Sequence, residues 1–180
     1  MAKFEFNKGI YEGEAVDEIP NGKGKLTFEG ASGYYEGDFV NGSFHGYGKF
    51  YLDGYGCFEG KWENHRFIEG KANYHFIYGG YEMDTIYEGK FEEFFLIGDG
   101  KITRANGEIY EGGTLNGKPH GKGKLTLCDG TVIQGDWVDG VKKYEHTDED
   151  YENAGGDERF LKTDAFYGSA FENTSYRYCL

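Results

Sequence analysis

The 180-residue chain has two prolines, two methionines and three cysteines, and neither end carries an apolar run long enough for a signal peptide or a membrane helix. A cytoplasmic protein is expected. Cys57, Cys128 and Cys179 are odd in number, far apart and without a C-x-x-C pair, so no disulfide framework or thiolate metal site is expected, only three reduced thiols. Basic residues are also scarce. There are 19 Lys+Arg against 32 Asp+Glu, a formal net charge of −13, so an anionic leaflet or a nucleic acid would be repelled by most of the surface.

What the chain does have is 31 glycines, 16 tyrosines and 15 phenylalanines. Disordered chains are poor in aromatics, so this composition points to many turns punctuating many aromatic strands. The stretch Tyr34–Gly54 is the clearest unit. Tyr35, Gly37 and Phe39 alternate with Glu36 and Asp38, the period of a strand with one apolar and one charged face. Asn41-Gly42 then supplies hairpin-turn chemistry, Gly48, Phe50 and Leu52 share a parity in the returning strand, and Asp53-Gly54 turns the chain again.

This unit repeats. An aromatic-x-Gly step, with Ile or Gln in some copies, places its glycine at 13, 37, 60, 89, 112 and 135. A Gly-Lys pair follows eleven residues later at Gly24-Lys25, Gly48-Lys49, Gly100-Lys101 and Gly123-Lys124, and ten residues later at Gly70-Lys71. The motif Tyr-Glu-Gly-Asp-Phe-x-Asn-Gly-x-x-His-Gly-x-Gly resembles the MORN repeat over roughly residues 10–140. The resemblance implies an all-β fold: an elongated, single-layer, twisted sheet of about six consecutive antiparallel hairpins. A lone hairpin is marginal in water, which gives an independent reason for each unit to lean on the next.

The expected organisation is therefore a repeat domain over 1–140 and a distinct segment over 141–180. Lys3–Ile10 caps the first edge, and units start near 11, 35, 58, 87, 110 and 133, about twelve strands in all. Unit one departs from Asn-Gly at its turn, reading Asp17-Glu18-Ile19-Pro20. Unit three loses its His-Gly and runs about six residues long through Tyr74–Tyr81, and unit four has Phe94-Phe95-Leu96-Ile97 in place of its turn. An apolar patch at a turn implies a cover, and packing against the long loop of unit three is the expected one. The 141–180 segment is acidic yet rich in aromatics, and docking on the sheet or on a partner is expected of it. It is not an EF-hand loop, since Asn153 and Arg159 stand where glycine and glutamate are needed.

Catalytic chemistry is scarce. His45 and His120 share one repeat position and read as a structural slot, while His65, His75 and His146 lack a carboxylate or cysteine at metal-ligand spacing. The G-x-G steps form neither a dinucleotide fingerprint nor a P-loop. No catalytic residue, metal or cofactor is expected, and the function is read as a non-enzymatic scaffold or adaptor. The glycine parity gathers Tyr35, Phe39, Phe58, Trp62, Tyr87, Phe91, Tyr110 and Trp137 on one surface, where a partner helix or extended peptide would lie along an aromatic trough. The resemblance adds two alternatives, a phospholipid-binding surface module and an accessory regulator of an enzyme in trans. It also implies a place in a large cytoskeletal, ciliary or flagellar assembly.

Overall fold

The computed structural model describes residues 1–78 and 81–143, the side chains of 76–83 excepted. Within them, thirteen strands form one open antiparallel sheet in which every strand pairs with its neighbours in sequence. The strands are β1 (Ala2–Phe6), β2 (Gly9–Val16), β3 (Ile19–Phe28), β4 (Gly33–Val40), β5 (Ser43–Leu52), β6 (Gly56–Glu63) and β7 (Arg66–Tyr78). They continue as β8 (Tyr81–Glu92), β9 (Phe95–Arg104), β10 (Ile109–Leu115), β11 (Lys118–Thr126), β12 (Val132–Val138) and β13 (Val141–Lys142). Consecutive hairpins are as expected. The strand beyond the expected twelve is β13, which closes the sixth hairpin just past residue 140. Docking of the segment beyond Lys143 lies outside the described residues.

The hairpin turns share one backbone solution. Asn41-Gly42 has φ of 47° and 80°, Asn64-His65 48° and 64°, and Asn116-Gly117 50° and 74°, the two positive angles that a type I′ turn requires and that suit the twist of the flanking strands. Two expected departures prove to be the same turn. It falls on Asp17-Glu18, with Ile19 and Pro20 already in β3, and on Glu93-Phe94, with Phe95 opening β9. Units two, three, five and six are each also tied to the one before through these turns. Gly42 N–H donates to the Pro20 carbonyl at 2.9 Å, His65 N–H to Phe44 at 3.1 Å, Gly117 N–H to Leu96 at 2.9 Å and Gly140 N–H to Pro119 at 2.9 Å.

The eleven-residue spacing has a structural meaning. Gly37 pairs with Gly48, but the next pair is Asp38 with His45, so Gly46 and Tyr47 have no opposite number and the returning strand bulges by two residues. Units one, four and five shift in the same way. In unit three, where the spacing is ten, Lys61 pairs with Glu69 and Trp62 with Phe67, and only Ile68 is extra.

In this register the repeat markers become rows across the sheet. Gly13, Gly24, Gly37, Gly48, Gly60, Gly70 and Gly89 are successive cross-strand partners, and Gly100, Gly112, Gly123 and Gly135 continue the row. Their lack of side chains makes room for rings: a Cβ on Gly24, Gly48 or Gly123 would overlap Tyr11, Tyr35 or Tyr110. On the opposite face a row of alternating charge runs Lys3, Glu12, Lys25, Glu36, Lys49, Glu59 and on through Lys71, Glu88, Lys101 and Glu111 to Lys124. The expected Glu–Lys pairs thus face each other within units and also between them. Lys25 and Glu36 close to 3.4 Å and Lys124 and Glu111 to 2.8 Å; exposed pairs of this kind contribute under ~1 kcal/mol each and serve mainly to set register.

Candidate functional site

The structure gathers the eight expected anchors on one face, as the glycine parity implies, but it closes that face. Tyr35, Phe39, Phe58, Trp62, Phe91, Tyr110 and Trp137 are each between 0% and 4% exposed, and half-buried Tyr87 packs against them. A single layer achieves this because the rings cover one another. Tyr35 stacks on Phe44 at 3.8 Å, Trp62 meets Phe67 at 5.0 Å, and Phe67 meets Phe91 at 4.7 Å. The turns also reach over the same face, with the Phe94 ring 5.5 Å from Phe58. The expectation of an open aromatic trough is corrected accordingly: as folded, these rings are the hydrophobic core, and a partner would have to open the sheet to reach them.

The tyrosine of each regular unit also has a polar task. Tyr11, Tyr35 and Tyr110 each donate from the hydroxyl to the carbonyl three residues on, Glu14 at 2.6 Å, Asp38 at 3.1 Å and Gly113 at 2.7 Å, at the point where the bulge breaks the ladder. Burial pushes the Tyr110 phenol up to about 12 and the Tyr35 phenol upward as well, so both remain protonated donors. Where Phe58 replaces tyrosine, the bulge is one residue instead of two. Tyr35→Phe should therefore lower stability by about 1–2 kcal/mol in urea unfolding, the cost of an orphaned carbonyl; an unchanged midpoint would show that the hydroxyl is dispensable.

The expected histidine slot is structural in its contacts. The His45 carbonyl receives the Tyr35 hydroxyl at 3.2 Å, and Nδ1 of both His45 and His120 is buried without a hydrogen-bond partner. His65 accepts from the Phe44 N–H at 3.4 Å, and burial pushes its pKa down, favouring the neutral ring. His75 differs from its sequence reading, since register brings Asp84 to 2.6 Å from its Nδ1 across the β7–β8 hairpin. Among the described residues, no group of three His, Cys, Asp or Glu side chains is placed to hold a metal. Cys57 is a free thiol with its pKa pushed up by burial. Cys128 lies in the turn between β11 and β12, at the rim of the sheet, and Cys179 falls outside the described residues.

Two exposed regions were not singled out as sites by parity. Along the hairpin-turn rim, Val16, Ile19, Val40, Phe94, Phe95 and Leu115 are all exposed, and a Cβ on Gly117 would lie 3.8 Å from Phe95. The expected cover over the Phe94 run is present only in part. Tyr74 bonds the Phe94 carbonyl through its hydroxyl, yet Phe94 and Phe95 stay 44% and 54% exposed. The second region lies at the other rim, where Tyr51 and Tyr55 are exposed beside the overlong β7–β8 hairpin, while Tyr47 is exposed at the bulge of β5.

Compared with known families, the chain matches the MORN repeat at residues 11–30, 35–57 and 110–132. The matched spans are units one, two and five, those with the tyrosine hydroxyl at a two-residue bulge. No curated protein matches the chain.

Proposed function

With the chain a MORN-repeat protein, carrying a repeat that serves generally in protein or membrane binding, we propose that it is a non-enzymatic scaffold whose partner is another protein. The observation that carries this reading is the rim of exposed apolar side chains, Phe94, Phe95 and Leu115 in one group and Val16, Ile19 and Val40 in the other, left open while the rings on the glycine face are sealed. Exposed aromatic patches of this kind mark interaction sites. Phe94 is held at a φ of 67°, a conformation costly for a bulky residue, where Gly42, Gly117 and Gly140 hold the same turn position in other units. The partner's place thus moves from the trough to the turn rim. The expected setting is a cytoskeletal or ciliary assembly in the cytoplasm.

A protein partner is favoured over a phospholipid surface because Glu92 and Glu93 flank the patch and the chain's net charge is −13. Crosslinking pull-down from the native source, with sites mapped, tests both readings. Crosslinks should cluster on the turn rim, and Phe95→Ser, at an exposed position tolerant of substitution, should reduce partner recovery at least tenfold. Full recovery with Phe95→Ser, or stoichiometric sedimentation with phosphoinositide liposomes at physiological salt, would overturn the proposal.

A further inference from the structure

The overlong unit three makes a cleft beside the β5–β6 turn. β6 pairs with β7 only as far as Gly56 with Tyr74, and the last link between them is His75 N–H to the Tyr55 carbonyl at 3.4 Å. Beyond that point β7 pairs only with β8, up to Tyr78 with Tyr81. The corner encloses about 220 Å³, lined by Tyr51, Asp53, Cys57, Asn73, His75 and Asp84. Small-molecule sites begin at ~300 Å³, so this volume suits one side chain and not a drug-sized ligand.

The lining is rich in acceptors. Asp53 takes the Tyr51 hydroxyl on Oδ1 at 3.5 Å, Asp84 meets His75 through Oδ1, and Asn73 Oδ1 is buried without any hydrogen-bond partner. Two carboxylates, a buried amide oxygen and an aromatic wall call for a planar cation with several donors. A metal fits poorly, because no three ligand side chains converge among the described residues. A guanidinium has five donors, no acceptor and a flat face that stacks on rings. We infer that this cleft receives an arginine side chain from a protein partner, hydrogen-bonded to Asp53, Asp84 and Asn73 with its plane against Tyr51. The scaffold reading supplies the source of the arginine, while the chemistry of the cleft stands apart from it.

The test titrates the isotopically labelled full chain with N-acetyl-arginine amide, and in parallel with the lysine and citrulline analogues. Saturable amide shifts are expected at Gly54, Gly56 and Asn73 with arginine, at least fivefold weaker binding with lysine, and none with neutral citrulline. Asp53→Asn/Asp84→Asn, two exposed and conservative changes, should weaken arginine binding at least tenfold while leaving the remaining spectrum unchanged. Equal shifts with citrulline, or shifts spread over other carboxylates and indifferent to the double variant, would overturn the inference. A partner that depends on Phe95, together with no arginine shift at the cleft, would sink the inference and leave the scaffold standing. Arginine shifts at the cleft with no partner recovered would do the reverse.

Discussion

Trp62→Ala will cost about 4 kcal/mol of folding stability, near the upper end of what single core truncations cost. The indole is 2% exposed and lies 5.5 Å from Tyr35, 5.9 Å from Phe44, 6.0 Å from Phe50 and 5.0 Å from Phe67. It belongs to β6, yet its Nε1 donates to the Gly48 carbonyl in β5 at 3.1 Å, so one side chain couples unit three to unit two. In a repeat stack, stability is a sum of unit and interface terms, and alanine here removes most of one interface and orphans its carbonyl. Urea unfolding should show the midpoint falling, with a second transition if the stack uncouples at that joint. Trp62→Phe, which keeps a ring and loses the donor, should lie between. A loss under about 1 kcal/mol for Trp62→Ala would mean that the sheet does not depend on its ring row.

Much of this was legible because repetition constrains register. The glycine and Gly-Lys markers fixed which residues face each other, and the eleven-against-ten spacing of units two and three encodes a bulge of two residues against one. Parity could assign Tyr35 and Trp62 to one face but could not say whether that face closes. Closure depends on turns reaching over the rings and on Tyr35 stacking flat on Phe44, neither of which has a period. The turns were legible where Asn-Gly occupies them and hidden where Asp17-Glu18 or Glu93-Phe94 takes the same backbone, because the neighbouring units impose what propensity disfavours. The His75–Asp84 pair and the cleft around it were hidden for another reason. They depend on how far an overlong hairpin pairs with itself, and the repeat says nothing of that extension.

Gly37→Ala is expected to be nearly as damaging as the loss of Trp62, although it adds only one methyl group. Gly37 is an interior member of the glycine row, opposite Gly24 on one side and Gly48 on the other. A Cβ there would lie 2.6 Å from the Tyr47 carbonyl oxygen and 2.9 Å from the Tyr35 hydroxyl, and nearer still to the Gly48 Cα. Backbone cannot rotate aside as a flexible side chain can, so β4 and β5 must separate at the bulge. That movement would pull the Tyr35 hydroxyl from the Asp38 and His45 carbonyls. Overpacking of this kind costs about 3 kcal/mol when no neighbour can yield. Gly30→Ala is the matched control, since nothing lies within 4 Å of a Cβ at Gly30 and its cost is the conformational one of a φ of 76°, about 1 kcal/mol. If both substitutions lowered the urea midpoint equally, the glycine row would be needed for turns and backbone freedom alone. A clearly larger loss at Gly37 means that the glycines are there to let rings and strands approach, which is how a sheet of one layer builds a core.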